Sequence, residues 1–251
     1  MNLSCLIPNS GKLYLSILFI LTNSILTKAQ NVSNNLWAGL NLNYEIFNKI
    51  DFKYEIGNRS NDNSARKRYY DFTIKYSASN FFKTALGTRH SNLSFLDSTI
   101  FDDGIEEEFK DVADRFHFDI SGNLIRVGDF KLKYRLRAQR KIRDFYADAR
   151  LKFKRTYVRS RGVVEYAVSK IIRMTAGSEL FFSIEEDSPL YIRKNRHTIG
   201  LEYDLNKIYS VRLQYLYQRE FKPSPREFLN ILALDFKIDL SKLSKKFSSK
   251  N

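Results

Sequence analysis

The chain has 251 residues and carries 42 Lys and Arg against 28 Asp and Glu, a net charge of +14. With 43% hydrophobic residues, 20 Phe and 15 Tyr it is too apolar and too aromatic for a disordered chain. With 28% charged residues it is too charged for a bundle of transmembrane helices, and its length admits one large β domain or two small ones.

Residues 1–29 read as a secretory signal peptide. Lys12 supplies a positive charge, and an apolar run from Leu13 to Leu26 is broken only by Ser16, Thr22, Asn23 and Ser24. Thr27-Lys28-Ala29 then fits the small-x-small rule before a cut at Gln30. The run is shorter than the roughly 20 residues of a transmembrane helix, the alternative reading. Cys5, the only cysteine, precedes the apolar run, which argues against a lipoprotein. Its removal with the signal leaves no disulfide and no thiolate metal site. An exported, cysteine-free chain fits the periplasm or outer membrane of a Gram-negative cell.

Beyond residue 30 the apolar residues recur with period two, the signature of half-buried strands. Leu36, Ala38, Leu40, Leu42, Tyr44 and Ile46 oppose Trp37, Gly39, Asn41, Asn43 and Glu45. A short turn at Asn48-Lys49 leads to Ile50, Phe52, Tyr54 and Ile56, opposite Asp51, Lys53, Glu55, Gly57 and Arg59. Tyr70, Phe72, Ile74 and Tyr76 oppose Tyr69, Asp71, Thr73 and Lys75. Over 81–90, Phe82, Leu86 and two threonines oppose Lys83, Ala85, Gly87 and Arg89. After an acidic stretch, Phe116, Phe118 and Ile120 oppose Arg115, His117 and Asp119. Phe130, Leu132, Tyr134, Leu136 and Ala138 oppose Lys131, Lys133, Arg135, Arg137 and Gln139. The pattern is less clean over 156–168 and 171–183, and clearest in three final strands around 198–203, 211–218 and 228–238.

Segments of about ten residues suit tilted strands that cross a bilayer. Eleven segments are clear, and a weaker one around Phe95–Phe101 makes twelve, the even number expected of bacterial barrels, with ten as the alternative. Twelve strands place both chain ends in the periplasm. They make 184–195 and 220–226 extracellular loops, make 168–170 and 205–206 periplasmic turns, and leave 60–65 rather long for the periplasmic side. Pro189, Pro223 and Pro225 fall in expected loops, as proline cannot donate to a strand ladder.

Alternation alone does not distinguish a membrane barrel from a soluble sandwich or barrel. Three features favour apolar side chains facing lipid. The apolar rows are rich in Tyr and Phe, which gather at the interface girdles of outer-membrane barrels. Gly39, Gly57, Gly87, Gly177 and Gly200 lie on the charged face, where they make room in a narrow lumen. And so many apolar rows would overfill a small soluble barrel.

The order of several short motifs resembles the DUF2490 family of bacterial outer-membrane β-barrel proteins. The resemblance is carried by Leu36-Trp37-Ala38-Gly39, by Arg59, by Arg-Phe-His-Phe-Asp at 115–119 and by Leu-x-Tyr-Arg-x-Arg at 132–137. It continues through Arg-x-Arg at 159–161 into Glu165-Tyr166, then Glu179-x-Phe181, Asn195-Arg196, Gly200-x-x-Tyr203 and Tyr215-x-Tyr217. It spans nearly all of 36–238 and implies an outer-membrane barrel with no established activity. Many outer-membrane barrels end on an aromatic residue, whereas a basic tail, Ser241–Asn251, follows Leu240 here.

His90, His117 and His197 show no metal-ligand spacing. His90-Ser91 is the tempting nucleophile pair of a lipid hydrolase, but neighbours on a strand point to opposite faces. Asp102, Asp103, Glu106, Glu107, Glu108 and Asp111 read as a solvated loop with some capacity for a hard cation. The basic surplus is the chemical feature that stands out. Arg115, Lys131, Lys133, Arg135, Arg137, Arg173 and Arg212 are expected on the lumen face with Glu165, Glu179 and Glu202, as a charge network that braces the walls. Arg140, Lys141, Arg143, Arg193, Lys194 and Arg196 are expected at loops and rims, within reach of lipopolysaccharide phosphates.

The expectation is an all-β, antiparallel up-and-down transmembrane barrel over 30–240, after a signal peptide at 1–29 and before a basic tail at 241–251. It is non-enzymatic, without cofactor, metal or catalytic residues, and serves as a structural barrel or a narrow, weakly anion-preferring channel. The alternatives are an outer-membrane lipid hydrolase and a soluble periplasmic barrel that binds an apolar ligand. Expected partners are outer-membrane lipid, lipopolysaccharide and the barrel assembly machinery, not nucleic acid, and the barrel is expected to be a monomer in the cell outer membrane.

Overall fold

Period-two patterning becomes eleven strands in a computed structural model that describes residues 32–61, 66–96, 108–143, 153–185, 188–221 and 228–248. The strands are β1 (Val32–Phe47), β2 (Ile50–Asn61), β3 (Arg66–Ser77), β4 (Lys83–Leu96), β5 (Glu108–Val127) and β6 (Phe130–Arg143). Then come β7 (Phe153–Ala167), β8 (Ile172–Glu185), β9 (Ser188–Asp204), β10 (Tyr209–Glu220) and β11 (Phe228–Asp239), followed by helix α1 (Leu240–Ser248). Residues 1–29, expected to be a signal peptide, lie outside the described residues.

Each strand pairs antiparallel with its neighbour in sequence, and β1 closes the barrel against β11. That closing pair is parallel, running without a register slip from Val32–Phe228 to Asn43–Asp239. An odd number of up-and-down strands forces this, since the first and last must run the same way. Twelve strands are expected from the sequence pattern, but eleven complete the circle among the described residues. The residues Phe95 and Leu96, read as part of a weak extra strand, are the end of β4; residues 97–101 lie outside the described residues.

The odd count also changes the ends. Short connections at 48–49, 78–82, 128–129, 168–171 and 205–208 share one end of the barrel, where β11 finishes. The other end, where β1 starts, carries the connections 62–65, 97–107, 144–152, 186–187 and 221–227. The 60–65 connection therefore belongs with the longer loops, and β1 starts at the opposite end of the barrel from where β11 finishes, so the first and last strands do not share one end as twelve strands would have them do. Two tight turns use left-handed backbone, at Lys49 (φ 75°) and Gly128 (φ 56°), as two-residue hairpins demand. The expected loop 184–195 is mostly strand, because β8 runs to Glu185 and β9 starts at Ser188. Pro189 thus stands as the second residue of a strand, where a missing donor costs little. Pro223 and Pro225 lie outside the described residues.

The apolar rows face outward. Leu36 is 56% exposed, Leu213 47% and Leu234 49%, and Phe72, Ile74, Leu86 and Phe116 are exposed beside them. Aromatic side chains crowd the short-turn end, with Phe47, Tyr76, Phe81, Phe82, Phe130, Tyr166 and Tyr203 all exposed. The interior holds the polar residues instead, among them Asp71, His117, Asp119, Arg137, Glu179 and Glu202. One apolar cluster breaks this rule. Leu216, Ile231 and Ala233 point inward at the β10–β11 seam, and Trp37 and Leu229 pack on them.

Past Asp239 the chain turns into α1 at the short-turn end. The Asp239 carboxylate accepts the Lys242 backbone N–H at 3.3 Å and pairs with its Nζ at 2.9 Å, the role of an N-cap. The Ser241 hydroxyl accepts the Glu45 N–H at 2.6 Å, tying the helix to β1.

Candidate functional site: a basic lumen

Eleven strands at a spacing of ~4.8 Å and a tilt of ~40° make a backbone cylinder of about 11 Å radius. Long side chains from separate walls meet inside such a bore. Close approach is eased by glycine at two inward positions. A Cβ on Gly57 would strike the ring of Tyr69, and one on Gly87 would lie 2.5 Å from the imidazole of His117. The room made at these positions therefore serves an aromatic ring and a histidine rather than the long cations.

The ten residues expected to form a lumen network all sit on inward rows. Near the short-turn end Glu165 accepts from Lys133 at 2.5 Å and lies 3.6 Å from Lys131. Glu202 binds Arg173 at 2.8 Å and Arg212 at 2.8 Å, and Arg173 also reaches Asp204 at 2.6 Å. At mid-height Glu179 gathers Arg135 at 3.0 Å and Arg159 at 2.8 Å, with Arg196 at 3.8 Å. Arg137 grips Asp119 through two bonds of 2.6 and 2.7 Å, a bidentate pair of the strong, planar kind. Arg115 is the exception: it has no carboxylate partner among the described residues, and its Nε meets no acceptor.

Several lumen residues were not singled out as site residues by the sequence. Arg89 pairs with Asp71 at 2.7 Å, and Asp51 pairs with Lys75. Arg193, Lys194 and Arg196, expected at the rim for lipopolysaccharide, line the lumen instead. They belong to β9 rather than a loop, and a register irregularity opposite Phe181 and Phe182 leaves Arg193 as the bulged residue, turned inward. Its guanidinium donates to the Tyr157 hydroxyl at 2.6 Å. Arg140 is exposed on the outer face, whereas the side chains of Lys141 and Arg143 lie outside the described residues.

Aromatic rings interleave these cations. The Arg59 guanidinium lies 4.0 Å from the Trp37 ring and 4.6 Å from that of Tyr69, which Arg89 approaches at 4.4 Å. Arg196 lies 5.0 Å from Trp37 and 5.1 Å from Phe181, which Arg159 approaches at 4.6 Å. Stacking on a ring face stabilises a guanidinium and leaves its donor edge free to point elsewhere. The chamber they enclose is about 440 Å³, and its lining holds thirteen cationic and six anionic side chains. An aromatic residue on an otherwise polar row, as at Trp37, Tyr69 and Phe181, was the signal for this ladder.

The histidines fall apart as a catalytic set. His90 is on the outer face, paired with Asp114 at 2.7 Å, while Ser91 is buried on the inner face. His197 is exposed and lies 3.3 Å from Asn195. In the lumen His117 Nε2 lies 3.3 Å from Thr73 Oγ1, but that hydroxyl donates to Asp71 at 2.8 Å. Among the described residues no three His, Cys, Asp or Glu side chains gather as metal ligands do. The acidic residues Asp102, Asp103, Glu106 and Glu107 lie outside the described residues, as do the side chains of Glu108 and Asp111.

A family model described as a protein of unknown function, DUF2490, matches residues 34–228. The chain belongs to the DUF2490 family. No curated protein matches it. Among solved structures, this DUF2490 barrel is similar to the translocator domain of the autotransporter NalP from Neisseria meningitidis, at 10% identity and a TM-score of 0.41, covering 86% of this chain and 91% of that one. It is also similar to the beta domain of the Bordetella autotransporter BrkA, at 10% identity and a TM-score of 0.38, and to OmpT, an outer membrane protein of Vibrio cholerae, at 10% and 0.32. Each of these two alignments covers 71% of this chain and 77% of the other.

Proposed function

We propose that this DUF2490 protein is an integral outer-membrane barrel, without catalytic activity, whose lumen is a narrow and weakly anion-preferring conduit. The observation that carries the reading is the inverted distribution of side chains: apolar rows outside, and inside a chamber with thirteen cationic against six anionic residues. An exterior of Leu, Ile, Phe and Tyr is stable against acyl chains and not against water. The aromatic belt at the short-turn end fits the periplasmic interface, where outer-membrane barrels carry their short turns. A basic lining favours anions over cations, and paired charges such as Arg137–Asp119 narrow the bore. Outer-membrane lipid and lipopolysaccharide are the proposed surroundings, with the barrel assembly machinery as the insertion partner and a monomer as the functional unit.

Planar bilayers test this reading. Protein extracted from membranes and checked for heat-modifiable gel mobility is added to one chamber under a KCl gradient. Small current steps with a reversal potential displaced toward that of chloride are expected. Folded protein that gives no steps rejects the conduit and leaves a structural barrel.

A further inference from the structure

Most lumen cations have a carboxylate. Three at the long-loop half of the chamber do not: Arg59 on β2, Arg115 on β5 and Arg193 on β9. No ion pair involves any of them among the described residues, and the Nε groups of Arg59 and Arg115 are buried without an acceptor there. All three line the same chamber of about 440 Å³, together with Arg89 and Tyr157, so the group shares one confined space. Two of the three are held in place by rings: Arg59 between Trp37 and Tyr69, and Arg193 against Tyr157 through its 2.6 Å hydrogen bond. Bringing like charges together in a confined space is unfavourable unless something of opposite charge joins them.

We infer that Arg59, Arg115 and Arg193 form a binding site for a phosphate-class oxyanion inside the lumen. The chemistry selects this class over a halide. Three planar guanidinium forks supply several N–H donors, a geometry that matches the multiple oxygens of a tetrahedral oxyanion and is wasted on a spherical ion. Phosphate carries between one and two negative charges near neutral pH, enough to offset much of the local surplus. The Tyr157 hydroxyl adds a further polar group at the edge of the site. The inference rests on the conduit reading only in needing an aqueous lumen; it does not need ion flow.

The molecule carries its own reporter. Trp37 is the only tryptophan in the chain, and it stacks on Arg59 at 4.0 Å. The full protein in detergent is titrated with sodium phosphate at constant ionic strength while Trp37 fluorescence is followed, with calorimetry as a second readout. A saturable response is expected, absent when chloride replaces phosphate. Arg115→Gln and Arg193→Gln, neither of which touches Trp37, are expected to weaken it about tenfold or more, as loss of a charge-assisted bond requires. Arg68→Gln, an exposed position on the outer face, is expected to leave it unchanged. Heat-modifiable mobility confirms that each variant is folded. Glycerol phosphate, run in parallel, separates the free ion from a phosphomonoester: binding of either supports the site and says which source it takes. If neither binds, or if both arginine variants bind as wild type does, the site is overturned. Conductance without phosphate binding overturns this inference and leaves the conduit; phosphate binding without conductance supports the site and removes the conduit.

Discussion

Replacing Glu179 by Gln removes the charge on which the middle of the lumen converges. The side chain is 4% exposed. Its Oε1 accepts from Arg135 at 3.0 Å and from Arg159 twice, at 2.8 and 3.1 Å. Arg196 stands 3.8 Å from Oε2. Glutamine keeps the shape and one carbonyl acceptor, so the loss is that of the charge rather than of volume. Breaking a buried ion pair from one side costs about 3–5 kcal/mol, and the retained carbonyl argues for the lower end, about 3 kcal/mol. That is roughly a hundredfold in the unfolding equilibrium. Urea unfolding in detergent or lipid vesicles, followed through Trp37, reads this as a shift of the midpoint at unchanged slope. Adding Arg159→Gln is expected to recover part of the loss, because one of the stranded cations goes too. A loss below about 1 kcal/mol, the range of exposed surface pairs, would refute the claim that these charges are tightly coupled.

Other regions give independent expectations. Gly57→Ala forces the ring of Tyr69 out of its place between Arg59 and Arg89 and strains its 2.7 Å bond to Glu55; a loss of about 1–3 kcal/mol in the same urea assay is expected. Ile231→Ala empties the apolar seam under Trp37, where Ile231 is 0% exposed, and is expected to cost about 2–5 kcal/mol. An epitope placed just before Val32 is expected to be reached by external protease on whole cells, while one after Asn251 is protected, because an odd strand count parts the two ends. Protection of both, or cleavage of both, would reject the eleven-strand topology.

Much of this fold was written in side-chain parity. A period of two decides which residues share a wall, and Leu36, Phe72, Leu213 and Leu234 stand on the outer one while Asp71, Arg137 and Glu202 stand on the inner one. The ion pairs of Glu165 and Glu202, and those of Glu179 with Arg159 and Arg196, follow from parity plus strand order, since partners on neighbouring strands come level; Arg135 reaches Glu179 across β7. Strand number was less legible, because it depends on whether the first and last strands can meet; the parallel match of β1 with β11 is a long-range fact with no local mark. The inward turn of Arg193 was hidden for a related reason: a bulge shifts parity by one residue and leaves no signal in the sequence. Leu216 and Ile231 were misleading in the other direction, as apolar residues on an inward row. The ladder of Arg59, Trp37 and Tyr69 was partly visible, as aromatic residues on charged rows, but stacking needs the curvature of a closed wall to bring them together.

Which face of the wall meets lipid can be read by spin labelling, for which a barrel without cysteine is suited, Cys5 being the single cysteine of the chain. Single cysteines from 211 to 218 and from 229 to 236 are labelled in reconstituted vesicles, and collision with oxygen, which concentrates in acyl chains, is compared with collision with a water-soluble nickel chelate. An alternation of period two is expected, with oxygen contact greatest at 213, 215, 232 and 234 and least at 212, 214, 231 and 233. Oxygen contact greatest on the second set, or no alternation at all, would contradict it.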